Sequence, residues 1–177
     1  MNELSQIIST STAGIDEMYF QLRIDGGDPI YRERVYCYEL YHQMRLRWPA
    51  DTEYYLNGEI DKAAHPILKK LGVENAKPDL LVHRPGYMEG NFAIIEVKHI
   101  AAQRQGILKD IETLSLFINK VGYERAIYLF YGYEDPNAIK NKVKAAIQNV
   151  KIELATIELW VHNTVHSEAQ HVDTLNA

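Results

Sequence analysis

With 177 residues, of which 46% are hydrophobic and 24% charged, the chain has the size and composition of one ordinary globular domain with a substantial core. We expect no membrane partner, because no apolar run approaches the roughly 18 to 20 residues of a membrane span and the first residues lack a signal-peptide pattern. The sole cysteine, Cys37, excludes an internal disulfide and favours a reducing, cytoplasmic location. A net charge of −5 argues against a broad nucleic-acid-binding surface, which is usually basic, but it allows a local one.

The N-terminal part of the chain is predicted to be mainly helical. Residues 1–30 form a helical extension, in which Asp16 can cap a second helical segment and the sequence GGDP marks a turn. A longer helix is expected over residues 31–47, ending ahead of Pro49. Apolar residues recur along it at helical spacing and form a stripe that faces the core: Cys37, Leu40, Tyr41, Met44 and Trp48.

Two glutamates of this helix are candidates for a functional site. Glu33 precedes Cys37 by one turn and lies on the core-facing stripe. Glu39 lies on a second, weaker stripe alongside Val35 and His42. The helical phase therefore favours Glu33 over Glu39, and either side chain can instead be a solvated surface residue.

A β-hairpin is predicted further along the chain, where two apolar runs, residues 80–82 and 92–97, flank a Pro-Gly turn. Antiparallel pairing brings Asp79, at the start of the first strand, close to Glu96, near the end of the second. Alternation along the strand places Glu96 and Lys98 on one face. Because unpartnered charge is costly to bury, this cluster requires a counter-charge, a metal ion or an open cleft.

The rest of the chain alternates helices and strands. A helix is predicted over residues 104–121, ending at Gly122, and a strand buried on both faces over residues 125–133. Asp135 and the proline after it begin another helix, and residues 157–161 form a final strand.

These elements predict a mixed α/β (α+β) fold, in which a central mixed β-sheet is flanked by helices. Residues 1–162 form a single domain, and residues 163–177 are expected to be a loose tail with little to bury. Lys109 and Asp110 are expected on the surface of their helix, away from its apolar stripe.

The hairpin resembles the signature of the PD-(D/E)XK nuclease superfamily, read here as Pro78-Asp79 followed by Glu96-Val97-Lys98. The order of elements over about residues 31–131 is also similar to the core of that superfamily. The resemblance implies a restriction-endonuclease-like fold and a metal-dependent nuclease that hydrolyses phosphodiester bonds, with DNA favoured over RNA.

The same resemblance implies roles for individual residues. Asp79 and Glu96 would bind Mg²⁺ or Mn²⁺ through their carboxylates, and the backbone carbonyl of Val97 would add a third ligand. Lys98 would orient the attacking water or stabilise negative charge that develops on the phosphate. Glu33 or Glu39 would complete the site directly or through water.

Several alternatives stay open at this point. Asp61, in the segment GEID after a short strand near Tyr54, competes with Asp79 as the metal-binding aspartate, and Glu59 is a candidate accessory acid. The function itself has an alternative, a non-catalytic module of the same fold that binds nucleic acid or protein. A small domain offers little surface for reading bases, so we expect a homodimer or a protein partner to supply any sequence specificity.

Overall fold

The computed structural model describes residues 3–58, 77–148, 151 and 153–176. Six strands and five α-helices are found in these residues, together with a 3₁₀ turn and a π-helical turn. The strands are β1 Tyr55–Gly58, β2 Leu80–His83, β3 Asn91–His99, β4 Arg125–Tyr131, β5 Ile157–His162 and β6 Gln170–Leu175. The α-helices are α1 Leu4–Ala13, α2 Glu17–Phe20, α3 Glu33–Leu46, α4 Arg104–Leu116 and α5 Pro136–Ile147.

The strands form one open sheet whose spatial order, β1 to β6, follows the chain. The pairs β1/β2, β2/β3 and β5/β6 are antiparallel, whereas β3/β4 and β4/β5 are parallel. Parallel neighbours need a crossover connection, and α4 and α5 provide these two crossovers. The prediction of a mixed sheet flanked by helices is therefore confirmed.

Helices cover both faces of the sheet, and the alternation of side chains along the strands assigns each residue to one face. One face carries Ile94, Tyr128 and Phe130, which belong to the core beneath α4 and α5. The opposite face carries Ile95 and Leu129 in the core that includes buried residues of α1, α2 and α3. Strand β4 is almost completely buried, as its continuous apolar sequence predicts.

The predicted caps at Asp16 and Asp135 and the predicted helix end at Gly122 are confirmed. The carboxylate of Asp16 accepts a hydrogen bond from the Met18 N–H at 3.0 Å at the start of α2. Asp135 caps α5 in the same way, accepting from the N–H groups of Asn137 and Ala138. After α4 the chain passes through the π-helical turn Phe117–Val121 and reverses at Gly122, whose φ of 81° suits a residue without a side chain.

The expectation of a loose C-terminal tail is wrong, because residues 170–175 form the edge strand β6. The side chains of Ala169 and Leu175 are buried, and Asp173 forms an ion pair with Lys144 at 2.7 Å. The sequence hides this strand because its apolar residues are few and it obtains its hydrogen bonds from the backbone of β5. None of the helices in the described ranges is long and apolar enough to cross a membrane.

Candidate active site

The candidate residues meet at the edge of the sheet where the parallel strands β3 and β4 end and the antiparallel strand β2 begins. Leu80 pairs with Ile95, so Asp79, the residue before β2, lies across from Glu96. Glu96 and Lys98 point to the face covered by α4, as the strand alternation predicts. In open α/β sheets the carboxyl ends of the strands are the usual location of ligand sites.

Strand β3 extends beyond the first residue of β2, and two carboxylates bind the amides of this extension. The Val97 N–H donates to Asp79 Oδ2 at 2.8 Å, and the His99 N–H donates to Glu33 Oε1 at 3.4 Å. A backbone amide without a strand partner needs another acceptor, and a carboxylate is a strong one. The end of β3 therefore fixes the position of both acids.

Glu96 and Asp79 form a buried acidic pair. The Glu96 side chain is nearly inaccessible, and its pKa is raised well above the usual value by burial and by the negative charges of Asp79 and Asp110. Burial also raises the pKa of Asp79, to about 6, although the Val97 amide and a hydrogen bond with Glu96 oppose the shift. Like charges this close resist double ionisation, so the two carboxyl groups titrate as a coupled pair.

Lys98 lies between two further carboxylates. Its ammonium Nζ is 2.8 Å from Asp110 Oδ2 and 3.2 Å from Glu33 Oε2. Burial acts to lower the pKa of Lys98, but these two partners outweigh burial and raise it above the usual value. Lys98 is therefore a fixed cation near neutral pH and is unsuited to act as a general base.

Asp110 belongs to the site, contrary to the expectation that it lies on the helix surface. Only 8% of the residue is exposed, and its Oδ2 also accepts a hydrogen bond from the Tyr128 hydroxyl at 2.9 Å. The sequence contained the signal for this position. Asp110 follows Ile107 by three residues and precedes Leu114 by four, which places it on the apolar stripe of α4.

Glu33, rather than Glu39, is the glutamate of α3 that reaches this cluster. Glu33 is the first residue of the helix, where a negative charge is also favoured by the helix dipole. Glu39 instead accepts a hydrogen bond from Gln43 Nε2 at 2.7 Å, along its own helix. Asp61 and Glu59, the two rival acids, lie outside the described residues.

The donor chemistry of the acidic pair fits a hard divalent cation. Asp79 and Glu96 offer carboxylate oxygens, and a cation would favour their charged forms, which burial disfavours. The Val97 carbonyl leaves the strand on the same side as the Val97 N–H, so it faces toward Asp79. Within the described ranges, however, no group of three or more His, Cys, Asp or Glu side chains is arranged to hold a metal ion.

Comparisons with protein-family models, with curated proteins and with solved structures each returned no match to this chain. The resemblance to the PD-(D/E)XK superfamily therefore depends on Asp79, Glu96, Lys98 and the order of elements. Membership in that superfamily stays a prediction.

Proposed function

We propose that this protein is a metal-dependent nuclease with a restriction-endonuclease-like core, and that it hydrolyses phosphodiester bonds in nucleic acid, with DNA favoured over RNA. The observation that carries the proposal is the convergence of four acids on a single lysine at one edge of the sheet. These residues are Glu33, Asp79, Glu96, Lys98 and Asp110.

The energetic cost of this arrangement supports a functional role. Among the residues that the structure describes, four carboxyl groups around one ammonium leave an excess of negative charge in a region that is largely shielded from water. A fold gains nothing from such an excess, since apolar side chains of similar size would pack there at lower cost. Such violations of packing rules are typical of functional sites.

The roles of the residues follow from their charges. Asp79 and Glu96 would hold Mg²⁺ or Mn²⁺, with the Val97 carbonyl as a further oxygen. When bound, the cation would neutralise phosphate charge and make a water molecule more acidic. Lys98, held as a cation by Glu33 and Asp110, would stabilise negative charge on the phosphate as the water oxygen bonds to phosphorus and the leaving oxygen departs.

One observation favours a second function, a non-catalytic module of the same fold that binds nucleic acid or protein. Lys98 is already neutralised by Asp110 and Glu33, and no complete metal-binding set lies within the part of the chain that the structure describes. In this alternative the cluster would be an internal ion network. A homodimer or a protein partner that supplies specificity, and a cytoplasmic location, remain predictions under both functions.

Cleavage assays separate the two functions. Purified protein is incubated with single-stranded DNA, duplex DNA and RNA, in Mg²⁺ or Mn²⁺, with EDTA as the stop. We expect cleavage that Glu96→Gln lowers by at least about 100-fold, because the substitution removes a metal-binding charge without changing shape.

Glu158→Gln is the matched control. Glu158 is also a strand glutamate, but it is only half-buried and pairs with Arg125 at the opposite edge of the sheet. The control variant is expected to cleave at nearly the wild-type rate. Absence of cleavage of all three substrates with both metals, or equal losses in the two variants, would contradict the nuclease proposal.

A further inference from the structure

A cavity opens directly beside the acidic pair, on the side of the sheet that α3 covers. It has a volume of about 370 Å³ and lies between α3, the end of β1 and the start of β2. This volume is at the lower end of the roughly 300 to 1,000 Å³ typical of small-molecule pockets. Its lining residues are Cys37, Tyr38, Tyr41, Asn57, Gly58, Asp79 and Leu80.

Asp79 is a wall of this cavity and also a member of the acidic pair. A molecule in the cavity therefore lies next to Asp79, the residue whose carboxylate we assign to the metal. None of the described residues that line the cavity is a lysine or an arginine, so this part of the lining offers no cation to a phosphate group.

The rest of the lining suits a flat, uncharged ring. Tyr38 exposes 61% of its surface beside the cavity, so its ring is accessible to a ligand there. Tyr41 adds a second aromatic ring. Aromatic faces are the surfaces on which proteins stack unpaired bases.

Space in the cavity depends on Gly58. A Cβ atom at this position would lie 3.7 Å from the Asp79 carbonyl oxygen and from Leu80 Cδ2, which is ordinary contact. A larger side chain at position 58 would therefore be accommodated by the backbone and would project into the space that a ligand needs.

We infer that this cavity binds one unpaired nucleobase of a single-stranded DNA segment, stacked on Tyr38, so that the adjoining phosphodiester lies at Asp79 and Glu96. A base within a duplex is stacked and paired and cannot enter a pocket of this size. The inference rests on the proposed function for the role of the adjoining phosphate, but base binding itself needs no cleavage.

The test is the binding of a fluorescently labelled single-stranded oligonucleotide by the full chain in EDTA, followed by anisotropy. Tyr38→Ala and Gly58→Leu are each expected to weaken binding about tenfold, the first by removing the stacking surface and the second by filling the cavity. Tyr38→Phe keeps the ring and is expected to bind as the wild type does.

Tyr87→Ala is the matched control. Tyr87 is as exposed as Tyr38, at 66%, but it lies in the turn between β2 and β3 at the other edge of the sheet. This variant is expected to bind the oligonucleotide normally, and the wild type is expected to bind the duplex form of the same sequence more weakly.

The possible outcomes separate this inference from the nuclease proposal. If binding depends on Tyr38 and Gly58 but the protein cleaves no substrate, the base pocket is supported and the nuclease proposal is contradicted. If the wild type cleaves nucleic acid, and Tyr38→Ala and Gly58→Leu bind and cleave single strands normally, the base pocket is overturned. The nuclease proposal is then still supported. Failure of the wild type to bind single-stranded DNA, or equal binding of single strand and duplex, would also overturn the pocket.

Discussion

Two ion-pair clusters lie at opposite edges of the sheet and differ in their balance of charge. At the start of β4, Arg125 meets Glu158 through two hydrogen bonds of 2.8 and 2.9 Å, one cation with one carboxylate. At the end of β3, Lys98 is the one described cation that faces an excess of described acids. Burial acts to raise the pKa of Glu158, yet Arg125 lowers it overall, whereas the pKa values of Asp79 and Glu96 are raised.

The difference separates a pair that stabilises the fold from a cluster that costs stability. A bidentate pair with matched charge satisfies its own hydrogen bonds and needs no further partner. The acidic cluster reaches charge balance only by holding protons or by binding a cation. Sites that are kept at a cost to stability are expected where a ligand or a reaction requires them.

Removing the lysine is expected to have the largest effect on stability. Lys98→Met leaves Asp110 and Glu33 without their cation in a site where the Lys98 side chain is only 13% exposed, so we expect a loss of about 3 kcal/mol of unfolding free energy at neutral pH. Urea denaturation measures this value. Arg125→Met, at a more exposed pair, is expected to cost about half as much.

A double variant tests the cause of that loss. In Lys98→Met, the carboxylates of Asp110 and Glu33 lack their cation. Adding Asp110→Asn removes one of these two unpaired charges, so the double variant is expected to be more stable than Lys98→Met alone. A double variant that is less stable than the single one, or a larger loss for Arg125→Met, would contradict the assignment of Lys98 as the counter-ion of the cluster.

The two clusters are expected to respond to pH in opposite directions. Acids whose pKa is raised by folding stabilise the protein fully below their unfolded pKa, and this contribution is lost as the pH rises through the folded value, about 6 for Asp79. Without divalent ions, Glu96→Gln should therefore be more stable than wild type at pH 8. The difference should shrink toward pH 4.

Glu158 provides the comparison for this pH profile. Its pKa is lowered by folding, so its contribution is present above the unfolded pKa and is lost as the pH falls. Glu158→Gln should therefore be less stable than wild type at pH 8. Thermal melts of both variants across this range in EDTA measure the two profiles, and profiles of the same sign would contradict the contrast between the clusters.

The smallest expected effect belongs to Tyr128. Its hydroxyl donates to Asp110 at 2.9 Å and helps to fix the carboxylate that holds Lys98. Tyr128→Phe is expected to lower the free energy of unfolding by about 1 kcal/mol and to reduce the cleavage rate a few-fold. Urea denaturation and initial rates measure both, and a loss of activity as large as that of Glu96→Gln would contradict this supporting role.

Most of the fold could be predicted because its elements carry local signals. The cap at Asp135, the reversal at Gly122 and the continuous apolar sequence of β4 all depend on neighbouring residues. Strand β6 could not be recognised, since an edge strand is held by backbone hydrogen bonds that many sequences can make. Tertiary pairing, rather than local preference, determines that strand.

The site was predictable to the extent that strand geometry determines it. The pairing of Asp79 with Glu96 follows from an antiparallel hairpin, and the alternation along β3 places Lys98 beside them. The helical phase favoured Glu33, which lies at Lys98, over Glu39. Asp110 was missed because acids usually lie on the helix surface, and it was assigned there although it falls on an apolar stripe. That preference for the surface is reversed here because Lys98 of β3 lies opposite Asp110 and pairs with it.

Titration of the protein with Mn²⁺ by calorimetry at neutral pH tests the central claim most directly, that the acidic pair is a cation site. The account predicts one site in the wild type and in Glu158→Gln, and loss of that site in Glu96→Gln and Asp79→Asn. Absence of Mn²⁺ binding, or binding that is unchanged by Glu96→Gln and Asp79→Asn, would contradict it.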